Sequence, residues 1–233
     1  ILDVGGESSR PGACKVSENE EQERVLQTLQ KLQQENINAI VSLDTRNLST
    51  RKLGYDCGVN IINDISGLDS IKKANFIISK KLSVIIMHMQ NNPKNMQENP
   101  QYSFAPIDIY NFFSKKINQL LQMGIDISNI VIDPGIGFGK NKYHNLDILK
   151  NISIFHGLGV PILLGVSRKA LIGQLTIDDF MFRGVRARSV NPSKRLSGSL
   201  VFAMHAFNNG IQIIRTHDVF ETKQALTCQF SLN

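Results

Sequence analysis

No run of apolar residues in this chain is long enough to cross a bilayer, and no secretory leader stands at its start. A membrane-spanning helix is therefore not expected. Cysteine is scarce. Cys14, Cys57 and Cys228 are odd in number and far apart, without the paired spacing of a zinc site or a disulfide framework, which points to a reducing compartment. The expected location is cytoplasmic. Tryptophan is missing altogether, and no mechanism follows from that. Missing too is any linker or shift in composition that would divide the 233 residues, so residues 1–233 read as a single domain able to bury a large core.

What is present is a net charge of +6, which favours anionic partners. The densest basic run, FRGVRARSVNPSKR at 182–195, has no interleaved aromatics or regular spacing. It reads as a solvated loop and not as a nucleic-acid surface. A phosphate-bearing small substrate accounts for the positive field equally well.

Short Val/Ile/Leu runs alternate with longer amphipathic segments. Strands are expected at 1–5, 37–44, 59–64, 82–89, 129–135, 160–165 and 211–215. Helices are expected at 18–35, up to about 55, 69–81, 107–123, 145–155 and 219–230. Another begins at SRKALIG, is interrupted by a basic insertion at about 174–194, and resumes near Leu196. Continuous apolar runs mark parallel strands buried on both faces, and their alternation with helices gives about seven βα units.

Nearly every strand ends in a chemically capable side chain: Asp3 and Glu7, Asp44, Asn63 and Asp64, His88, Asp133, Ser167 to Lys169, Arg215 and His217. A closed barrel gathers all of these on one face, whereas an open sheet scatters them along an edge. The expected fold is thus α/β, a (β/α)8 TIM barrel. Measured against eight strands and about 250 residues, it is N-terminally incomplete, with the first strand and helix absent.

Several stretches suggest binding. In GGESSRPGA (5–13), glycines let backbone approach a ligand, Pro11 stiffens the loop, and Ser9 and Arg10 supply donors. SLDTRN and INDISG place Asp44 and Asn63 at neighbouring strand ends, where a carboxylate and a carboxamide can grip the edge of a flat heterocycle. VIDPGIGFGK adds Asp133 and, on a glycine loop, Phe138. That loop lacks the helix-opening context of a dinucleotide fingerprint. GVSRKALIG puts Ser167 and Lys169 at a helix start suited to an anion, and IIRTHD adds Arg215 and His217 as a second anion clamp. His88, His144, His156 and His205 have no partner at metal spacing and read as packing residues.

The stretches DVGGESSRPGA, SLDTRN, NIINDISG, MHMQNNPKNMQ, IDPGIGFGKNKYHN, GVSRKALIG, RLSGSL and IIRTHDVFET, in this order, closely resemble the dihydropteroate synthases of the pterin-binding TIM-barrel family. The resemblance implies condensation of p-aminobenzoate with 6-hydroxymethyl-7,8-dihydropterin diphosphate, with release of pyrophosphate. By the family pattern, Asp44, Asn63, Asp133 and Lys169 bind the pterin and Met87 packs on it. Arg215 and His217 hold the diphosphate. Ser9, Arg10 and Pro11 lie over p-aminobenzoate, whose carboxylate meets Ser167. Asp44, Lys169 and Arg10 form the implied catalytic set.

The resemblance further implies Mg2+, whose usual Asn ligand sits in a first loop that this chain does not contain. It also implies a homodimer through the last helices. The 174–194 insertion is longer and more basic than the family's connection. Two competing readings are a methyltetrahydrofolate-binding methyltransferase domain, which needs neither diphosphate clamp nor SSRPG loop, and a non-catalytic remnant of the synthase.

Overall fold

The Val/Ile/Leu runs become seven short strands, every pairing between them parallel, in a computed structural model that describes residues 1–8, 14–91, 95–186 and 189–232. In chain order the elements are β1 (Leu2–Gly5), α1 (Glu18–Gln34), β2 (Val41–Asp44), α2 (Leu48–Asp56), β3 (Ile61–Asp64), α3 (Ile71–Lys80), β4 (Ser83–Met87) and α4 (Ala105–Gln122). They continue with β5 (Ile130–Asp133), α5 (Lys142–Lys150), β6 (Leu163–Gly165), α6 (Ala170–Phe182), α7 (Leu196–Asn208), β7 (Ile213–Arg215) and α8 (Val219–Phe230).

Strands β1 to β5 pair in sequence order as one sheet, and β6 pairs with β7. A single backbone bridge, Ile132 to Ile162, joins the two groups. The result is a TIM-barrel-like array that is not closed, because β1 and β7 stay at its two edges.

Several boundaries differ from the sequence expectation. Residues 37–40 lie outside β2, and Ile37 and Ile40 are exposed, so the apolar run does not mark the strand's true start. The helix expected at 145–155 begins earlier, where the Asn141 side chain caps the backbone N–H of His144, and ends at Lys150; short 3-10 turns follow at Ile152–Leu158. The insertion does not interrupt its helix at once: α6 runs through Phe182, so the described residues hold eight α-helices, one more than expected.

Register sorts the side chains. Parallel pairing matches Gly5 with Asp44, Asp44 with Asn63, Met87 with Asp133, and Gly165 with Arg215. Successive strand residues point to opposite faces, so these positions, with Asp3 two residues before Gly5, share one face of the array. The alternate residues Leu43, Ile62, Ile86, Ile132 and Leu164 are buried in the main core under the helices. Helix α2 approaches β2 so closely that a Cβ on Gly54 would sit 2.4 Å from Leu43, which is why glycine occupies that position.

Two buried polar knots fix the loops after β2 and β3. Glu21 on α1 accepts hydrogen bonds from Thr45 Oγ1 (2.6 Å), Asn47 Nδ2 (2.7 Å) and Thr50 Oγ1 (2.7 Å). Arg51 on α2 donates through Nη2 to Asp64 Oδ2 at 2.6 Å, with both side chains fully buried. Asp64 also accepts from Ser66 and from the Leu68 backbone. Although burial pushes the Asp64 carboxyl upward, the Arg51 guanidinium and the Ser66 bonds hold it below the usual range. Removing one partner strands the other charge in the core. Arg51→Met is therefore expected to lower stability by about 3–5 kcal/mol in urea unfolding; a loss under about 1 kcal/mol would show that Asp64 is satisfied without it.

Candidate active site

The inward face ends at one mouth. Asp44 closes β2, and Asn63, 3% exposed, stands beside it one residue before the end of β3. Asn63 Nδ2 donates to Asp3 Oδ2 at 3.2 Å, and Arg215 Nη1 on β7 donates to the same oxygen at 3.1 Å. Gly5 lets Asp44 approach, since a Cβ there would lie 3.3 Å from the Asp44 side chain and carbonyl. On β5, the buried Asp133 turns its Oδ1 to the Gly135 amide at 2.8 Å, shaping the glycine loop that follows.

That loop bends back over the end of β4. A Cβ on Gly135, whose φ is +69°, would fall 2.0 Å from the His88 carbonyl oxygen, so only glycine fits. Lys140, 3% exposed, staples the two segments together. Its Nζ donates to Phe138 O (2.8 Å) and His88 O (3.2 Å) and lies 3.0 Å from His88 Nδ1. Burial first, then the Lys140 charge, hold the His88 ring neutral by lowering its pKa to about 2. The expectation that His88 is a packing residue is met, with Lys140 as its partner.

Between these polar ends lies an apolar floor of Ile65, Met87, Met96 and Phe138, with Met89 against it. Lys169 reaches over the Phe138 ring, its Nζ 4.8 Å from the ring centre, and donates to the Ile136 carbonyl. Next to it, Ser167 Oγ accepts from the His217 backbone N–H at 3.1 Å and stands 3.1 Å from His217 Nδ1, joining the loops after β6 and β7. Of the residues chosen from sequence, Asp44, Asn63, Met87, Asp133, Phe138, Ser167, Lys169, Arg215 and His217 all stand on strand ends or the loops directly after them. Ser9, Arg10 and Pro11 lie outside the described residues.

Residues 1–217 match the family described as pterin binding enzyme. The chain is 40% identical to the dihydropteroate synthase of Escherichia coli K12, an alignment spanning 97% of this chain and 76% of that protein.

The chain belongs to the pterin-binding enzyme family.

Solved structures agree. A Yersinia pestis dihydropteroate synthase in complex with a sulfonamide drug superposes with a TM-score of 0.89 at 38% identity, over 99% of this chain and 79% of that one. The Thermus thermophilus dihydropteroate synthase in complex with 4-aminobenzoate gives 0.87 at 30% identity, over 100% of this chain and 84% of that one.

The charges of this mouth are mutually adjusted. Burial pushes Asp44 up to about 7, and the like charge of Asp3 pushes the same way, ahead of smaller effects from Asp64 and Glu21; Arg215 opposes them. Burial also pulls Lys169 down to about 8, against the attraction of Asp133. Burial lowers Arg215 too, but Asp133, Asp3 and Asp44 outweigh it and keep the guanidinium above its ordinary value. Among the described residues no group of three or more His, Cys, Asp or Glu is arranged to hold a metal ion.

Sequence reasoning passed over some of the site. Met96 sits in a polar loop without periodicity, and nothing in its neighbourhood marks it as floor. Arg168 adopts φ +56°, a left-handed conformation unusual for a residue with a Cβ, and is tied down by Asp218, Ser199 and Arg195. Its restraint orients Ser167 and Lys169 on either side.

A carboxyl whose native pKa is raised keeps a proton that the unfolded chain has lost, so stability declines as pH rises from the usual carboxylate range through about 7. Asp44→Asn abolishes that decline. Scanning calorimetry is expected to show its melting temperature gaining on the unmodified chain as pH rises from about 4 to about 8; a constant difference across that range would contradict the raised pKa.

Proposed function

We propose that this chain makes dihydropteroate, joining p-aminobenzoate to 6-hydroxymethyl-7,8-dihydropterin diphosphate and releasing pyrophosphate. The observation that carries the reading is one mouth where three polar groups suited to a ring edge (Asp44, Asn63 and Asp133) face the same floor as a cationic pair, Lys169 and Arg215. A domain that only bound a folate would not need the second half of that arrangement.

In this reading the pterin ring lies on Met87 and Phe138, its edge held by Asp44, Asn63 and Asp133. Arg215 and His217 take the diphosphate. The C–O bond to the leaving group breaks with its electron pair going to pyrophosphate, where the guanidinium balances the charge. The Asp44 carboxylate stabilises the positive charge left on the pterin. The arylamine nitrogen then forms the new C–N bond and loses a proton. The carboxylate of p-aminobenzoate meets Ser167 and the first amides of α6, a helix N-terminus suited to an anion. The Thermus thermophilus relative, in complex with 4-aminobenzoate, supports the choice of arylamine.

A second copy of the chain is the proposed partner. Val201 on α7, Val219, Phe220 and Phe230 on α8, and Leu232 just beyond are all exposed, an apolar surface unusual for a monomer.

Pyrophosphate release from the two substrates is expected with the unmodified chain, and Asp44→Asn should reduce turnover by about 100-fold or more, the scale of a lost transition-state charge contact. No release by the unmodified chain would overturn the assignment. Light scattering is expected to report a dimer, which Phe220→Glu with Phe230→Glu should convert to monomer. A monomeric unmodified chain would refute the association.

A further inference from the structure

We propose that Asp3 is a positioning residue which sets the hydrogen-bonding sense of Asn63 and the direction of Arg215, coupling the ring grip to the anion clamp; the inference rests on the functional reading above. Its side chain, 24% exposed, points to the inward face of β1. Oδ2 receives both Asn63 Nδ2 at 3.2 Å and Arg215 Nη1 at 3.1 Å, while Oδ1 lies 3.5 Å from the same amide nitrogen.

An ionised carboxylate can only accept hydrogen bonds, so the end of Asn63 that faces Asp3 has to be its NH2. The carbonyl oxygen is thereby turned the other way. Asn63 is 3% exposed, and reversing its amide would set oxygen against oxygen with little water to compensate. Asn63 therefore offers an acceptor to the ligand, and Asp44 beside it in register offers another when ionised. The heterocycle edge meeting this pair must carry N–H donors. A ring presenting bare acceptors there is disfavoured, because acceptor would face acceptor.

The same carboxylate orients the clamp. Arg215 is fixed at Nη1 by Asp3, and its Nε passes so close to Gly165 that a Cβ there would sit at 3.2 Å. Among the described residues one donor of the fork is spent on Asp3, which sets the direction in which the other donors can meet an anion. Asp3 belongs to β1 and Arg215 to β7, the two edges of the array, so one carboxylate links the strands that carry the two functions.

Asp3 also bears on Asp44. On the inward face the charged neighbours of Asp44 are Asp3 from β1 and Arg215 from β7, while Asp64 from β3 and Glu21 from α1 add smaller like-charge effects from the helix side. Neutralising Asp3 removes a like charge and leaves Arg215 less engaged, and both changes favour ionised Asp44.

Asp3→Asn tests the inference, since it keeps the shape but no longer dictates which end of Asn63 it meets. By calorimetry its affinity for the pterin diphosphate is expected to fall about 10-fold or more, as for loss of charge-assisted bonds. The KM for p-aminobenzoate should be unchanged, and the acid limb of the kcat/KM profile should move to lower pH. A variant that melts earlier yet keeps the affinity and the acid limb of the unmodified chain would overturn the role, leaving Asp3 merely structural.

Should the variant not fold, the unmodified chain provides a second measurement. By NMR, one Asn63 side-chain amide proton is expected to resist solvent exchange with and without pterin diphosphate; rapid exchange in both states would overturn the proposal. If the unmodified chain neither binds pterin diphosphate nor releases pyrophosphate, the functional reading fails. If it does both and Asp3→Asn matches it, only the role of Asp3 fails.

Discussion

Period-two alternation, carried in register across parallel strands, is the constraint on which everything else rests. A parallel ladder places paired residues on the same face, so choosing the facing of one strand chooses it for its neighbours. Here the odd-numbered Asp3, Asn63, Met87, Asp133 and Arg215 all turn inward with Asp44, while their neighbours turn to the helices. A one-residue slip in β2, β3, β4 or β5 would exchange a site residue for a core leucine or isoleucine. The helical layer thus enforces the chemistry: burying Leu43, Ile62, Ile86 and Ile132 leaves the alternate residues nowhere else to go.

Opposite charges are held close to balance in the site. Asp3, Asp44 and Asp133 face Lys169 and Arg215, and burial works against the charged forms of Asp44, Lys169 and Arg215. Its effect is to leave Asp44 and Lys169 near neutrality in pKa, so that a ligand bringing its own charges can redistribute protons among them. The buried Arg51–Asp64 and Lys140–His88 pairs lie one layer further out. They spend their polarity on loop geometry and not on the ligand.

The strand ends were legible in the sequence because each apolar run ended in a residue that a buried strand does not tolerate without cause. Asp44, Asn63, Asp133 and Arg215 all stood out in this way. Strand beginnings were less legible: Ile37 and Ile40 continue the apolar run of β2 while lying exposed, since hydrophobicity alone does not say where pairing starts. The extension of α6 into the basic insertion was hidden because Asp178 to Phe182 lacks an apolar stripe. Asp3 was visible as a strand-end carboxylate, but its partners are 60 and 212 residues away. Spacing along a chain carries no trace of such a meeting, and only the curl of the sheet brings it about.

The Ile132–Ile162 bridge has a mechanical consequence. It is the sole strand-to-strand backbone pairing among the described residues between the sheet that grips the ring and the two strands that end in Ser167, Arg215 and His217. Helices α5 and α6 pack across the same junction, and the hydrogen bonds from Lys169 to Ile136 and from Arg215 to Asp3 cross it on the inward side, so the two groups of strands are joined by packing and side chains more than by backbone pairing.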